Sequence, residues 1–471
     1  TVIRARAFAD DLLGSTTAGS TFFINDPSIV PVMSVYTGDA YLYNQKTGVM
    51  VKGSGNIPNY EKDWEYPIQI EYFDASGQRQ LSQMAPFRVT SHSSRSLRQK
   101  SLGLFARKAF GSNTFDYAFF DNRPYTQYSS LLLRSTNSDH RSCRMRDAVL
   151  GEISEGLGLY YQAAQPIVVY LNGEYFGHYN LRERVSEYFV AQHEGLSMDQ
   201  AKSIDVLESN GTNSSQINNG TNAEWKALIN KVKTLSPGKN PEDLQYILDN
   251  IDVDNYFDYV ILECFFANTD SGNIRFYKVP GGKWKWIMYD MDYGMFNANS
   301  NGVGNYLNPS GYHGANNDIS NVLILKLLEN ADMKDRFLTR FGEVFRFFTT
   351  ERMLAQIDEC YQILKPEMAM HYDRWAEQNL KSISFDQPQT KDGCLRYWES
   401  RVERLRNVAR KRPAYCWRQV AERFKLTDAQ MEQYFGSIPL VPADATWNDD
   451  KSKNTGMTYL YGSNWKALYG E

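Results

Sequence analysis

The sequence predicts an α+β protein with a β-rich first half and a mostly helical second half. Short runs of β-branched and aromatic residues, broken by Gly, Asn and Asp, fill residues 30–120, as is typical of strands. Helical periodicity dominates after residue 223, as in "VDNYFDYVILECFFAN", with a single β hairpin inserted. With 471 residues, the chain can hold two or three domains or one large unit with two lobes.

The composition excludes several classes of protein. The net charge of −4 gives no basic excess that would indicate nucleic acid or an anionic membrane as partner. Aromatic residues make up 14% of the chain, which excludes wholesale disorder. The five cysteines form no C-x-x-C pair, so neither a zinc module nor a disulfide scaffold is expected. No run of about 18 apolar residues predicts a membrane span.

The order of the predicted elements divides the chain into four parts. The first part is too small to fold alone, so it is either the terminal strands of a preceding β domain or an added edge of the next one. The second holds strands, one helix within residues 144–158 and a hairpin around Asn172-Gly173. The parts are residues 1–25, a β-rich lobe plus hinge at 30–207, a helical lobe at 208–435 and an irregular tail at 436–471. The chain begins at Thr1 without Met or signal peptide, which we interpret as trimming.

Acidic side chains lie at both ends of the hairpin within "NTDSGNIRFYKVPGGKWKWIMYDMD", residues 268–292. Asp270 and Asn273 precede the Pro-Gly-Gly turn, and Asp290 and Asp292 follow it. Residues i and i+2 of a strand share a face, so Asp290 and Asp292 converge if the strand continues. Such oxygen ligands suit Mg²⁺ or Mn²⁺, especially when substrate phosphates complete the shell. An ordinary hairpin with turn-capping acids is the alternative.

A Ser-rich turn with basic flanks occurs in "FRVTSHSSRSLRQKSLGLFAR", residues 87–107. Its hydroxyls and backbone N–H groups can face phosphate, with Ser94 and Arg95 in the turn and Lys100 opening the next strand. Cations of this kind offset the charge of a triphosphate. The segment contains no G-x-G-x-x-G motif, and a solvated basic edge is the alternative.

Two further charged residues are candidates for the same site. In the helix at 144–158, Arg146 falls near the centre of the apolar stripe, so an inward-facing guanidinium is expected unless the first turn frays. Glu183 marks the exit of the second hairpin, where the chain passes directly into a helix. It is either a hinge acid or an acid favoured by the helix dipole.

Five segments in this order resemble the CotH family, the spore coat protein H type of atypical, kinase-like proteins. They are "FRVTSHSSRSLRQKSLGLFAR", "NSDHRSCRMRDAVLGEISEGLGL", "VVYLNGEYFGHYNLRERV", "NTDSGNIRFY" and "GKWKWIMYDMDYG", and the resemblance covers roughly residues 30–430. Protein kinases likewise order a catalytic Asp, a metal-holding Asn, a hairpin and a second metal-binding Asp. Residues 1–24 also resemble the last strands of a chitobiase C-terminal-like β-sandwich.

The resemblance implies a bilobed kinase-like fold and an ATP-dependent enzyme that needs Mg²⁺ or Mn²⁺ and phosphorylates Ser or Thr of envelope or coat proteins. It assigns catalysis to Asp270 and metal binding to Asn273, Asp290 and Asp292. Contacts to ATP fall to Lys100, Arg95, Ser94, Arg146 and the hinge residue Glu183. Only two residues separate Asp270 from Asn273, and "DMDYG" replaces "D-F-G". These departures leave open a catalytically silent member of the family.

Two other functions remain open from the sequence. A non-catalytic surface protein can use the same scaffold to bind a polysaccharide or a protein, given the abundant Trp and Tyr. A glycoside hydrolase can use Asp270 and Asp290 as paired carboxylates, although the basic turn argues against it. We expect a protein substrate, no nucleic acid partner, and an extracytoplasmic, secreted or cell-envelope location.

Overall fold

The computed structural model describes residues 1–10, 18–24, 28–210, 215–270, 272–309, 321–380, 390–446 and 456–469. The chain divides into two compact units. Unit 1 comprises Thr1–Arg144, Ala163–Arg184 and Glu359–Ser400, and unit 2 comprises Met145–Gln162, Val185–Asp358 and Arg401–Glu471. Helices and sheets occur together, which confirms the predicted α+β class.

The strands fall into four sheets. In chain order they are β1 (Val2–Ala5), β2 (Ala18–Thr21), β3 (Val32–Tyr36), β4 (Tyr66–Phe73), β5 (Arg79–Val89), β6 (Leu102–Phe105), β7 (Phe115–Asp116), β8 (Gln127–Tyr128), β9 (Ser130–Arg134), β10 (Ala164–Leu171), β11 (Glu174–Glu183), β12 (Asp205–Asn210), β13 (Gln216–Asn219), β14 (Asn273–Lys278) and β15 (Lys285–Ile287). The pairs β1-β2 and β7-β8 form two small sheets.

The helices within the described residues include two long ones near the C-terminus. In chain order they are α1 (Asp39–Leu42), α2 (Arg146–Ile153), α3 (Glu187–His193), α4 (Met198–Ala201), α5 (Ala223–Val232), α6 (Pro241–Asn250), α7 (Val253–Phe266), α8 (Gly302–Tyr306), α9 (Val322–Leu327), α10 (Ala331–Phe347), α11 (Thr350–Leu380), α12 (Lys391–Phe424), α13 (Asp428–Phe435), α14 (Met457–Tyr461) and α15 (Trp465–Tyr469). None of these helices combines the length and the apolar character that a membrane crossing requires.

Unit 1 is built on a seven-stranded closed barrel in the order β10-β11-β9-β6-β5-β4-β3. Its neighbours pair antiparallel except β3 and β10, which pair in parallel from Val32↔Val168 to Val35↔Leu171 and so close the barrel. Alternate residues of the strands, such as Leu104 and Leu133, form one buried apolar cluster. Trp375 of α11 belongs to the same cluster and donates its indole N–H to Phe176 O at 2.9 Å.

The barrel differs from the predicted kinase-like lobe, and the bilobed kinase arrangement is not confirmed. Strand propensity and turn signals located most of the strands but cannot specify that the first of them, β3, pairs in parallel with the distant β10. The hairpin at Asn172-Gly173 is confirmed: these residues have φ of 51° and 82°, as a type I′ turn requires. The terminal strands β1 and β2 pair with each other, and Thr21 N donates to Glu71 Oε2 of β4 at 2.7 Å.

Two polar segments contain regular structure that the sequence prediction did not place there. The polar stretch at 208–223 continues β12 to Asn210 and forms β13, which pairs with it, while residues 211–214 lie outside the described residues. The tail at 436–471 contains α14 and α15. Neither stretch has the apolar periodicity on which the sequence prediction relied.

Unit 2 carries the predicted acidic hairpin, β14-β15, in a four-stranded sheet of order β13-β12-β14-β15. The ring centroid of Trp225 in α5 lies 4.5 Å from that of Phe276 and 5.3 Å from that of Trp284. The Trp286 ring stacks on Phe276. Helix α7 is joined to the hairpin by Asn255, whose Oδ1 accepts the Trp286 N–H at 2.6 Å. The aromatic residues of the hairpin therefore pack it against α5 and hold it in place.

A fully buried guanidinium group, that of Arg412 in α12, ties two loops of unit 2 together. Arg412 donates to Cys264 O and Phe265 O at the end of α7, and to Ala298 O and Ser300 O beyond the hairpin. Carbonyls at a helix C-terminus carry negative partial charge, so they stabilise a cation without a carboxylate. Burial lowers the pKa of Arg412 from its usual value.

We predict that Arg412→Met destabilises the protein by about 3 kcal/mol or more, because the buried carbonyls of Cys264, Phe265 and Ala298 lose their hydrogen bonds to the guanidinium group. Urea unfolding followed by circular dichroism measures the change. The exposed Arg396 gives a matched control, and Arg396→Gln is expected to stay within about 0.5 kcal/mol of wild type. Equal effects of the two substitutions would contradict the role of Arg412.

Candidate functional site

Three carboxylates of unit 2 lie close enough together to share one cation. Asp147, Asp290 and Asp292 each offer an oxygen, and these oxygens all lie within 4.8 Å of one another. Asp292 is buried and the other two are half-buried. Among the described residues this is the only such group of acids, cysteines or histidines. Three hard oxygen ligands, with water or phosphate completing the coordination shell, suit Mg²⁺ or Mn²⁺.

The two hairpin acids converge for a different reason than the sequence predicts. Strand β15 ends at Ile287, so the expected strand alternation does not extend to Asp290. Instead Asp290 adopts a left-handed backbone conformation with φ of 55°, which Asp tolerates better than most residues. This conformation turns the chain sharply before Asp292. Backbone strain of this kind is concentrated at functional sites.

The first turn of α2 forms hydrogen bonds with the segment that contains Asp290 and Asp292. Asp147 Oδ1 accepts the Met291 N–H at 2.7 Å, and Arg146 Nη1 donates to Gly294 O at 3.1 Å. A Cβ at Gly294 would lie 2.8 Å from Leu150 Cδ1, so a larger residue there would require the Leu150 side chain to move. The prediction that Arg146 faces inward is therefore met, because the side chain is buried and its partner is a backbone carbonyl.

Asp270 and Asn273 lie beside the acid cluster. The Asn273 side-chain amide donates to Asp270 Oδ2 at 2.9 Å and to Asp290 Oδ2 at 3.3 Å. In this orientation its nitrogen faces the acids, and a half-turn of the amide offers the oxygen that a cation requires. Asn268 Oδ1 accepts the Asp270 N–H at 3.1 Å, and Ala267, with φ of 49°, directs the chain from α7 to this loop.

Two acids at this site have raised pKa values. Burial, together with the charge of Asp290, raises the pKa of Asp270, while the Asn273 amide opposes the shift. Burial also raises the pKa of Glu263 to about 8, and the negative charges of Asp270 and Asp290 add to it. The Asn268 and Tyr259 side chains offset part of the effect. Glu263 is therefore protonated at neutral pH, so it adds no charge to the cluster.

Asp147 and Glu263 are the residues of this site that the sequence analysis missed. Asp147 directly follows Arg146, and an acid in the first turn of a helix is readily explained by the helix dipole. Glu263 occurs in the strongly apolar run "YVILECFF", where a carboxyl group is rare unless paired. The presence of an acid in this apolar run is the signal by which the sequence could have identified Glu263 as a site residue.

The predicted ATP-binding residues of the Ser-rich turn belong to unit 1, where their polar groups bind other groups of the same unit. Lys100 Nζ donates to Arg95 O at 2.6 Å and Leu97 O at 2.8 Å, and it lies 4.1 Å from the Tyr60 ring. Burial lowers the pKa of Lys100 to about 8. Arg95 donates to Ser91 O and pairs with Asp63 at 3.2 Å. These contacts fix the shape of the turn.

Two other predicted residues of the turn and hinge also have protein partners in unit 1. Ser94 Oγ lies 2.5 Å from Ser91 Oγ. Glu183 is buried and accepts from Arg123 Nε at 2.9 Å, from the Ala163 N–H at 2.9 Å and from the Tyr125 hydroxyl. Because three donors bind the Glu183 carboxylate, it holds the C-terminal end of β11 in place.

The fold and the acid cluster define an α+β protein with a candidate divalent-metal centre. A family model described as CotH kinase protein matches residues 87–416. Because this match covers more than half of the chain, the protein belongs to the CotH kinase family. No curated protein matches the chain.

We predict that Asp147→Asn weakens Mn²⁺ binding at least about tenfold, as much as Asp290→Asn does, because each removes one of three clustered carboxylates. Isothermal titration with Mn²⁺ measures the affinity. The control is Asp199→Asn, since the Asp199 side chain is 93% exposed and should leave binding unchanged. Unaltered affinity in folded Asp147→Asn would exclude Asp147 as a ligand.

We predict that Glu263→Gln is more stable than wild type and that the difference widens as pH rises. The folded pKa of about 8 exceeds the ordinary value of 4.5, so the unfolded chain holds fewer protons between these limits and wild-type stability falls there. The gain in free energy of unfolding should reach roughly 2–4 kcal/mol at pH 8 and be small near pH 5.

Urea unfolding without metal at pH 5, 6.5 and 8 tests this pH dependence. The exposed Glu432 supplies the matched control, Glu432→Gln, which should follow the wild-type curve. If the free energy of unfolding changed with pH in the same way for wild type and Glu263→Gln, Glu263 would be charged in the folded protein at neutral pH.

Proposed function

We propose that this member of the CotH kinase family is an ATP-dependent phosphotransferase that uses Mg²⁺ or Mn²⁺ and modifies Ser or Thr hydroxyls of proteins. The observation that supports it most is the group of Asp147, Asp290 and Asp292 within 4.8 Å, with Asp270 alongside. A kinase site needs both a metal-binding acid group and a separate acid for the acceptor hydroxyl. The family match supports the same reaction class.

Each residue of the site has a distinct part in this reaction. Asp147, Asp290 and Asp292 would hold the divalent ion, which neutralises phosphate charge when bound. Asp270 is half-buried and lies outside the three-acid group, so it can orient the acceptor hydroxyl and take its proton. Asn273 bonds both Asp270 and Asp290, and it thereby fixes the spacing between proton acceptor and metal ligands.

The proposed acceptors are envelope or coat proteins, and the proposed location is extracytoplasmic. Family resemblance supports the class of acceptor, and the chitobiase-like resemblance of residues 1–24 supports a place at the cell surface. A surface polysaccharide is a further candidate partner on the same grounds.

We predict that Asp270→Asn lowers kcat for phosphoryl transfer roughly 10²- to 10⁴-fold, because the acceptor loses its general base. Transfer of labelled phosphate from ATP with Mn²⁺ or Mg²⁺ to dephosphorylated casein, a generic Ser/Thr acceptor, measures the rate. Stabilisation by ATP and Mn²⁺ in thermal unfolding should persist in this variant, because Asp270 is not one of the three clustered acids.

The control for this experiment is Asp199→Asn, which should retain the wild-type rate. A wild type that ATP and Mn²⁺ stabilise but that transfers no phosphate would instead support a non-catalytic binding protein. Absence of both stabilisation and transfer at millimolar ATP would contradict the proposed function entirely.

A further inference from the structure

Two fully buried histidines of unit 1 lie against each other where α11 packs on strand β11. His178 alternates along β11 with Tyr179, which lies in the barrel core, so the His178 side chain points to the opposite face of the strand. His371 belongs to α11, and its ring centroid lies 6.4 Å from that of His178. Neither residue has any surface exposed to solvent. Burial of this kind disfavours the charged form of both rings.

A hydrogen bond between the two residues fixes the protonation of His371. The His178 backbone N–H donates to His371 Nδ1 at 3.2 Å. A ring nitrogen accepts a hydrogen bond only when it carries no proton, so the proton of the neutral His371 ring is on Nε2. If the ring gains a second proton, Nδ1 becomes a donor that faces the His178 N–H. Protonation of His371 therefore breaks this contact.

A second hydrogen bond beside it joins the same helix to the same strand. Trp375, one helical turn after His371, donates its indole N–H to Phe176 O at 2.9 Å. Gly177 lies between the two contacts with φ of 105°, and a Cβ there would lie 2.7 Å from Trp375 Nε1 and 2.8 Å from His371 Nδ1. The helix therefore approaches the strand closely at this point, and loss of the His371 bond disturbs a tightly packed contact.

The charges near the two rings oppose a further positive charge. Arg144 is fully buried, and it donates to Gln99 Oε1 at 3.0 Å and to His178 O at 3.4 Å. Burial, together with the charge of Arg144, lowers the pKa of both histidines well below the ordinary value of 6.5, and His178 adds to the effect on His371.

Four other titratable groups influence the charge of Arg144, and they are Tyr372, Asp139, Tyr179 and Tyr175. Burial raises the pKa of Tyr372 and Tyr179, so these hydroxyls are neutral at physiological pH. Asp139 is the acid of the group, and its carboxylate accepts from the Cys143 thiol at 3.3 Å. A proton on either imidazole would therefore place a second buried positive charge near that of Arg144.

Three ring nitrogens of the histidine pair make no hydrogen bond in the described part of the chain. They are His178 Nδ1, His178 Nε2 and His371 Nε2. A buried polar atom without a partner lowers stability relative to an apolar group of the same shape. What histidine adds at these positions is the capacity to take up a proton just below neutral pH.

We propose that His178 and His371 form a pH-sensitive switch that weakens the attachment of α11 to β11 when the medium is acidified below about pH 6. When the helix is detached, both rings meet water and titrate near their ordinary value of 6.5. Acid favours the state that binds more protons, so the attachment is strongest above this value and weakens as the pH falls below it. The switch does not depend on the proposed phosphotransferase activity, since none of its residues belongs to the acid cluster.

Urea unfolding at pH 5.5, 6.5 and 7.5 tests the proposal on wild type, His178→Phe, His371→Asn and the double variant. Phenylalanine fills the space of the imidazole without titrating, and the Asn Oδ1 can still accept the His178 N–H. From pH 7.5 to 5.5 the unfolding equilibrium constant of wild type should rise about tenfold more than that of either single variant, and about a hundredfold more than that of the double variant. The exposed His92 supplies the matched control, His92→Gln, which should follow wild type.

Hydrogen exchange followed by mass spectrometry, corrected for the intrinsic exchange rate at each pH, locates the change. On going from pH 7.5 to 5.5, residues 359–376 of α11 should lose about tenfold or more of their protection in wild type but not in the double variant. The same pH dependence of unfolding in wild type and both single variants would overturn the proposal. Equal loss of α11 protection in wild type and His178→Phe, which keeps the His371 hydrogen bond, would also overturn it and needs no double variant.

Discussion

Repulsion among carboxylates is the constraint on which the candidate site depends. Three acid oxygens within 4.8 Å are unfavourable without compensation, because like charges this close raise one another's energy. Neutral donors offset part of this repulsion, since the Met291 N–H binds Asp147 and the Asn273 amide binds Asp290. A bound cation would offset the remaining repulsion, which is the physical basis for the divalent metal in the proposed function.

The same constraint explains the protonation of Glu263, a buried acid that the charges of Asp270 and Asp290 influence. Glu263 is fully buried close to Asp270 and Asp290, and its raised pKa keeps it neutral. A fourth charge there would oppose the cluster without binding a metal. The buried cation of Arg412 lies instead where carbonyls of α7 and of residues 298–300 can solvate it. At these two buried positions, one group is kept neutral and the other is solvated by carbonyls.

The arginines and lysines of unit 1 illustrate why cations that are neighbours in sequence are weak evidence of an anion site. In the Ser-rich turn, Lys100 and Arg95 lie close together in sequence, yet they bind the carbonyls of their own loop. Arg88 and Arg184 are almost a hundred residues apart, yet both approach the Phe105 ring. Pairing of strands decides which cations share a surface, and neighbouring positions in the sequence do not.

The sequence by itself determined the α+β class, the hairpin that carries Asp270, Asn273, Asp290 and Asp292, and membership of the CotH kinase family. These features depend on local periodicity, turn residues and motif order, which a linear chain displays directly. Only the tertiary structure decided that β3 closes a barrel on β10 and that Asp147 joins the acids. Both depend on contacts between distant segments, and they are stabilised by backbone pairing and backbone hydrogen bonds, for which side-chain patterns give no signal.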